Sequence, residues 1–210
     1  MDLPIEGKEY LSIMAAYAIG CFTSGYYFVR WRIGQDVRFA GSGSAGATNA
    51  GRFLGRRGFI LTFLLDCLKG ALVVGLARGL RLGSSAILLM MIAVVAGHLY
   101  PLQLRFRGGK GIATSVGALL AYNYLIVLIL MGLFGVLWIP LRNIVLSGLA
   151  AFAILPLALY FLRFSVTGIW GAVALAVLVL IAHRRNIPEE LRRIIISRKP
   201  ANTRHSTRDE

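Results

Sequence analysis

Hydrophobic positions fall in long, nearly uncharged blocks at about 10–29, 59–79, 85–105, 111–139, 144–162 and 165–183, separated by short polar stretches. Blocks of this length predict membrane-spanning helices, because about 20 apolar residues of helix cross the roughly 30 Å hydrocarbon layer. The block at 111–139 is too long for one upright crossing, at roughly 43 Å of helix. Asn123, between Tyr122 and Tyr124, offers a break. The pattern therefore predicts a short helix over 111–122, roughly 18 Å long and unable to cross alone, and a second helix over 124–139. The expected fold is all-α: a polytopic membrane protein with about seven transmembrane helices, one of them short. An unbroken 111–139 would give six. Within 85–105, Pro101 should bend the helix, since it cannot donate to the Gly97 carbonyl and its ring crowds that carbonyl.

The polar stretches add a topology. Three clusters, at 41–52, 105–111 and 183–186, can share one face only if an even number of crossings separates the second from the third. The split at Asn123 supplies four. With that face inside, 18 of the 23 Lys and Arg lie on the inner side, against Lys8, Arg78, Arg81 and Arg163 outside and Lys69 within a helix. By the positive-inside rule the N-terminus is expected outside and the C-terminus inside.

Composition agrees: 57% of the 210 residues are hydrophobic and 15% charged, which excludes an ordinary soluble domain. The net charge of +14 sits in short loops and the tail, so it points to anionic lipid or an anionic substrate rather than nucleic acid. One transmembrane domain over 1–198 is expected, with a disordered basic tail over 199–210. Cys21 and Cys67 lie in apolar blocks and suggest no disulfide framework. Residues 1–9 carry Asp2, Glu6 and Glu9 against Lys8, the reverse of a cleavable signal's basic start.

The candidate chemistry lies in the clusters. GHLYPLQLRFRGGKGIAT, at 97–114, surrounds Lys110 with Gly108, Gly109 and Gly111, whose permissive backbones should leave amides uncovered for an anion. It is not a Walker loop, because Leu104 and Gly111 stand where that motif requires Gly and Ser or Thr. GSGSAGATN, at 41–49, offers Ser42, Gly43, Ser44, Thr48 and Asn49 between Arg38 and Arg52, an expected anion nest. Its G-x-G-x-x-G with Asp66 downstream imitates a dinucleotide fingerprint, but a membrane helix precedes it where that fold needs a strand. Asp66 and Lys69 share a helix face and are expected to form a structural ion pair, with a substrate role for Lys69 the alternative. His183 and Asn186 share another face before Pro188, after which Glu189 and Glu190 should open an amphipathic interfacial helix. No metal set is expected, since the three histidines have no nearby Cys or carboxylate at ligand spacing.

Taken in order, GSGSAGATN with Arg52, the Asp66/Lys69/Gly70 helix, GHLYPLQLRFRGGKGIAT and HRRNI resemble the three signature motifs of the bacterial acyl-phosphate:glycerol-3-phosphate acyltransferases. The resemblance runs from the first helix to about residue 190. It implies a seven-helix enzyme of the bacterial inner membrane, with its active site and C-terminus cytoplasmic. The reaction implied moves a fatty acyl group from acyl phosphate to the 1-hydroxyl of glycerol 3-phosphate, giving lysophosphatidic acid and phosphate in phospholipid synthesis. Ser42, Arg52, Lys110, His183 and Asn186 match family positions associated with phosphate binding and the active centre. The phosphate site is expected to include also Gly43, Thr48, Asn49, Gly108 and Gly109, with Lys110, His98 and His183 as catalytic candidates. His98, His183 or a substrate phosphate oxygen could accept the hydroxyl proton. No cofactor is expected; the expected partners are the two substrates and membrane lipid, and the expected state is a monomer. Two features depart from the family: Ser44 stands where asparagine is usual, and PEELRRIIISRK differs from the usual ending. The alternative from another class is a transporter or binding protein for an anionic phosphate metabolite; such proteins carry inverted repeats and midplane polar groups, and no repeat is evident here.

Overall fold

The computed structural model describes residues 7–198, which are helical apart from turns, with no strand among them. The helices are α1 (Gly7–Cys21), α2 (Ser24–Ile33), α3 (Ala47–Gly79), α4 (Ser84–Leu99), α5 (Ile112–Tyr122), α6 (Tyr124–Leu141), α7 (Ile144–Phe161), α8 (Val166–His183) and α9 (Ile187–Arg198), with 3-10 turns at Val37–Phe39 and Leu102–Leu104. Six spans are long and apolar enough to cross a membrane: α1 with α2, α3, α4 with its 3-10 turn, α6, α7 and α8. The short α5 is a seventh apolar helix. This is an all-helical polytopic membrane protein. The tail assigned to 199–210 lies outside the described residues.

The break at residue 123 falls as the polar pattern predicts. Asn123 leaves helical geometry at φ −160°, ψ 112°, its amide donating to the Leu119 carbonyl and its side chain accepting from Leu125 N at 3.0 Å. One residue thus ends α5 and starts α6.

Three boundaries differ from the sequence reading. The first block is two helices, interrupted at Phe22 and Thr23. The break leaves carbonyls unbonded inside the bundle, and side chains fill them: Lys69 Nζ donates to Gly20 O at 3.2 Å and Phe22 O at 2.5 Å, and Gln103 Nε2 to Cys21 O at 2.6 Å. Such partners are required where no water reaches. Helix α3 begins at Ala47, ahead of the apolar block, because its first turns pack Ala50 against Val29, Val37 and Ala45. It turns sharply at Gly55, whose φ of 65° and ψ of −162° a side chain would oppose. Pro101 does not bend a continuing helix. Helix α4 stops at Leu99, and Pro101 opens the 3-10 turn, where its missing N–H leaves no carbonyl unbonded.

The core joins α3, α4, α5, α7 and α8 through side chains such as Val73, Met91, Val95, Leu119, Leu155 and Leu175, all fully buried. Helices α3 and α5 touch backbone to backbone: a Cβ on Gly70 would overlap the Thr114 carbonyl, and one on Gly117 the Cys67 carbonyl. Hydrogen bonds sort the loops into two ends. At one end Ala45 N bonds Gly108 O at 3.0 Å, Arg38 bonds Leu104 O at 2.6 Å, and Asn143 bonds Glu190 at 2.8 Å. At the other Arg78 bonds the Ala121 and Tyr122 carbonyls, Tyr122 bonds Ser165, and Glu9 accepts from Gly83 N. The three polar clusters share the first end.

Candidate active site

At that end lies a cavity of about 640 Å³. Its wall takes Arg38 and residues 41–44 from the first loop, Leu99, Tyr100 and residues 106–110 from the second, and Ala182, Arg184, Arg185, Asn186 and Glu189 from the end of α8 and the start of α9. Five cations, Arg38, Arg107, Lys110, Arg184 and Arg185, face it against the one carboxylate of Glu189. A cavity with that excess of positive charge attracts anions, and the planar donor forks of arginine suit phosphate.

Of the residues singled out from sequence, Ser42, Gly43, Gly108, Gly109, Lys110 and Asn186 line this cavity, and so does Ser44. Burial pushes the Lys110 ammonium below the ordinary lysine value, and Arg52 adds to the effect, while Glu189 and Glu190 oppose it. A bound phosphate dianion would restore that charge. Arg52 stands close by, its Nη1 beside the backbone of Gly41.

Other residues act differently from expectation. Asn49 is fully buried and staples its own loop: Nδ2 donates to the carbonyls of Val37, Ala40 and Ser44, and Oδ1 accepts from Ser42 N. It has nothing left for a ligand, so it shapes the Ser42 wall instead of touching phosphate. Thr48 is exposed on the first turn of α3 and outside the wall. The amides of Gly108 and Gly109 are not uncovered; they donate to the carbonyls of Leu99 and His98, each at 3.0 Å. Positive φ occurs at Gly111, at 84°, ahead of α5. Gly108 and Gly109 are needed for closeness, since a Cβ on either would overlap α4's last turn, at the His98 carbonyl and the His98 ring respectively.

His98 and His183 both stand one layer behind the wall, 2% and 4% exposed. His183 Nδ1 lies 2.8 Å from the Val179 carbonyl. A carbonyl only accepts, so Nδ1 carries the proton and Nε2 keeps its lone pair. His98 Nδ1 faces Lys69 Nζ at 2.8 Å. Lys69 is paired with Asp66 Oδ1 at 3.1 Å, which also accepts from Ser24 Oγ at 2.8 Å. The Lys69 ammonium thus has four acceptors for three protons, and none remains for a substrate.

Sequence reasoning missed several participants. Ser24 and Gln103 are ordinary polar residues within apolar blocks, with no pattern marking them. Arg107 and Glu189 reach the wall only because the loop and α9 fold over the same space. Arg38 reads in the sequence as a flanking charge, and in the structure its grip is specific. Nε and Nη2 clasp Asp36 at 2.9 and 2.6 Å while Nη1 reaches Leu104 O, tying the two loops together. The Arg38 guanidinium holds the Asp36 carboxyl below the usual carboxylate range, so the clasp stays ionised at neutral pH.

Comparison with known proteins agrees in sequence and in fold. The family model described as glycerol-3-phosphate acyltransferase matches residues 10–193. Glycerol-3-phosphate acyltransferase 1 of Desulfitobacterium hafniense (strain Y51) is 43% identical over 180 residues, 85% of this chain and 89% of that protein. The protein of the same name from Bacillus anthracis is 36% identical over 183 residues, 87% of this chain and 97% of that one. The crystal structure of PlsY, an integral membrane glycerol 3-phosphate acyltransferase, in its glycerol 3-phosphate form superposes with a TM-score of 0.81 at 30% identity, covering 90% of this chain and 94% of that one. Its lysophosphatidic acid form gives 0.77 at 29% identity. With the matched region running from α1 into α9 and taking in every wall of the basic cavity, the chain belongs to the glycerol-3-phosphate acyltransferase family, and it is an acyltransferase built into a membrane.

Proposed function

We propose that the chain transfers a fatty acyl group from acyl phosphate to the 1-hydroxyl of glycerol 3-phosphate, releasing lysophosphatidic acid and inorganic phosphate. The observation that carries this reading is the convergence of Lys110 and four arginines on one cavity at the end of an otherwise apolar bundle. Both substrates carry a phosphate, and both the acyl chain of the donor and that of the product belong in lipid. An acyl phosphate is a mixed anhydride and already activated, so the protein's task is to hold two phosphates together and to stabilise charge as it develops.

In the reaction the hydroxyl oxygen attacks the acyl carbon, the bond from that carbon to the phosphate oxygen breaks, and phosphate leaves with the bonding pair. Ser42, Lys110 and Asn186 hold phosphate oxygens, with Arg52 adding charge from behind Gly41. The hydroxyl proton goes to His183 Nε2 or to a phosphate oxygen of the substrates. His183 is favoured over His98 because its hydrogen bond to Val179 leaves Nε2 as the acceptor. No metal or cofactor is needed. The chain works as a monomer in the bacterial plasma membrane, N-terminus outside, with the cavity on the cytoplasmic side.

Purified protein in liposomes, offered labelled glycerol 3-phosphate with either acyl phosphate or an acyl thioester, tests the donor. Product with acyl phosphate alone is expected; product with the thioester alone would assign a different donor, and uptake without product would make the protein a transporter. Lys110→Ala should lower the rate on the order of a hundredfold or more. A wild-type rate in that variant would remove the cavity from the mechanism.

A further inference from the structure

The chemistry above leaves unused a buried ion pair and the imidazole beside it: Asp66, Lys69 and His98, respectively 1%, 6% and 2% exposed. Charges in such a place are costly and persist where they hold something. Lys69 closes the broken end of α1 through Gly20 O and Phe22 O, Asp66 fixes Lys69 and takes Ser24, and Lys69 presents its ammonium to His98 Nδ1 at 2.8 Å. An ammonium only donates, so Nδ1 accepts and the ring proton sits on Nε2. Nε2 points away from the ion pair and meets Gly109, where an added Cβ would overlap Nε2 and Cε1. The same residue is bonded below through its backbone, Gly109 N to His98 O at 3.0 Å. Lys110 follows directly. The loop carrying the principal cation therefore rests on an imidazole whose rotation and tautomer are set by α3.

We propose that His98 is a positioning residue for the phosphate site: held by Lys69 and Asp66, its ring fixes the height of Gly109 and so the place of the Lys110 ammonium, and it takes no proton from the substrate. This rests on the functional reading for its substrate, though not for the loop geometry. In His98→Asn the amide oxygen replaces Nδ1 toward Lys69, but nothing reaches Gly109. A loop free to shift should raise KM for glycerol 3-phosphate on the order of tenfold, leave kcat within about threefold, and keep the acid limb of the pH profile. Gly109→Ala, which drives a methyl into the intact imidazole, should show the same KM defect. The double variant, in which that methyl enters the space the ring vacated, should recover toward wild type.

Thermal stabilisation of the detergent-purified protein by inorganic phosphate reads the same site without turnover. It should be lost in each single variant and regained in the double. If wild type gives no turnover but this pattern appears, the assigned reaction is wrong and the positioning role stands. Additive defects in the double variant, single variants that behave as wild type, or a wild type that phosphate does not stabilise would overturn the proposal. So would a hundredfold fall in kcat for His98→Asn with KM unmoved and the acid limb gone, which would make His98 the proton acceptor. Should His98→Asn fail to fold, Gly109→Ala alone decides between the KM defect and wild-type behaviour.

Discussion

Lys110 is cationic only while its environment allows, and that makes it measurable. Burial, with Arg52 beside it, sets its pKa below 10.5. As pH rises it loses its proton before an ordinary lysine would, and with the proton would go the hold on phosphate proposed for it. KM for glycerol 3-phosphate should therefore climb at a pH lower than that at which an ordinary lysine deprotonates. In Lys110→Arg the guanidinium keeps its charge throughout, so the climb should flatten even if its fork lowers kcat at neutral pH. An identical alkaline rise in both proteins would assign it to another group. At this scale the sequence was informative about the cation placed at the cavity wall, Lys110, and uninformative about what supports it. Lys110 stands out between glycines in the chain, whereas the full use of Asn49 and the reach of Arg38 to the second loop depend on carbonyls at 37, 40, 44 and 104 that only folding brings within reach.

Helix α5 begins inside the bundle, where Thr114 lies against Gly70, so the 105–111 loop carries Lys110 down toward it. The far end of α5 is fixed by Arg78, whose Nη1 donates to the last two carbonyls of the helix at 2.9 and 3.0 Å. A cation on helix-terminal carbonyls both bonds them and meets the negative end of the dipole. Arg78→Ala should lower stability by about 1–2 kcal/mol, seen as an earlier thermal transition in detergent, with KM for glycerol 3-phosphate unchanged because the cavity is at the opposite end. A shift in KM instead would mean that α5 transmits that end's position to Lys110. The α5/α6 break was legible because asparagine is costly inside a membrane helix unless it caps one. The α1/α2 break was not, since Phe22 and Thr23 carry no such signal and the partners that make it tolerable, Lys69 and Gln103, are far along the chain. Proline marks one break and not others: Pro101 follows the end of α4, whereas Pro140 and Pro156 lie inside α6 and α7.

At the scale of the molecule, the structure and the charge pattern supply independent halves of a topology. Hydrogen bonds place residues 9, 78, 83, 122 and 165 at one end and residues 38, 45, 104, 108, 143 and 190 at the other, which needs no knowledge of a membrane. Along the sequence, 18 of the 23 Lys and Arg fall in the loops and tail assigned by parity to the inner face, an assignment that needs no knowledge of contacts. The parity argument from sequence and the contacts agree because α5, though short, carries the chain from the cavity end to Arg78. We propose that retention of cations on the cytoplasmic side orients the bundle, which would open the cavity toward the cytoplasm. Single cysteines in a background with Cys21 and Cys67 replaced by alanine check this. Ser84→Cys, exposed at the first position of α4, should react with a membrane-impermeant maleimide on intact cells, and Arg57→Cys, exposed near the kink of α3, only after lysis. The reverse pattern would put the cavity outside, where the fixed end-to-end contacts would carry all three polar clusters with it.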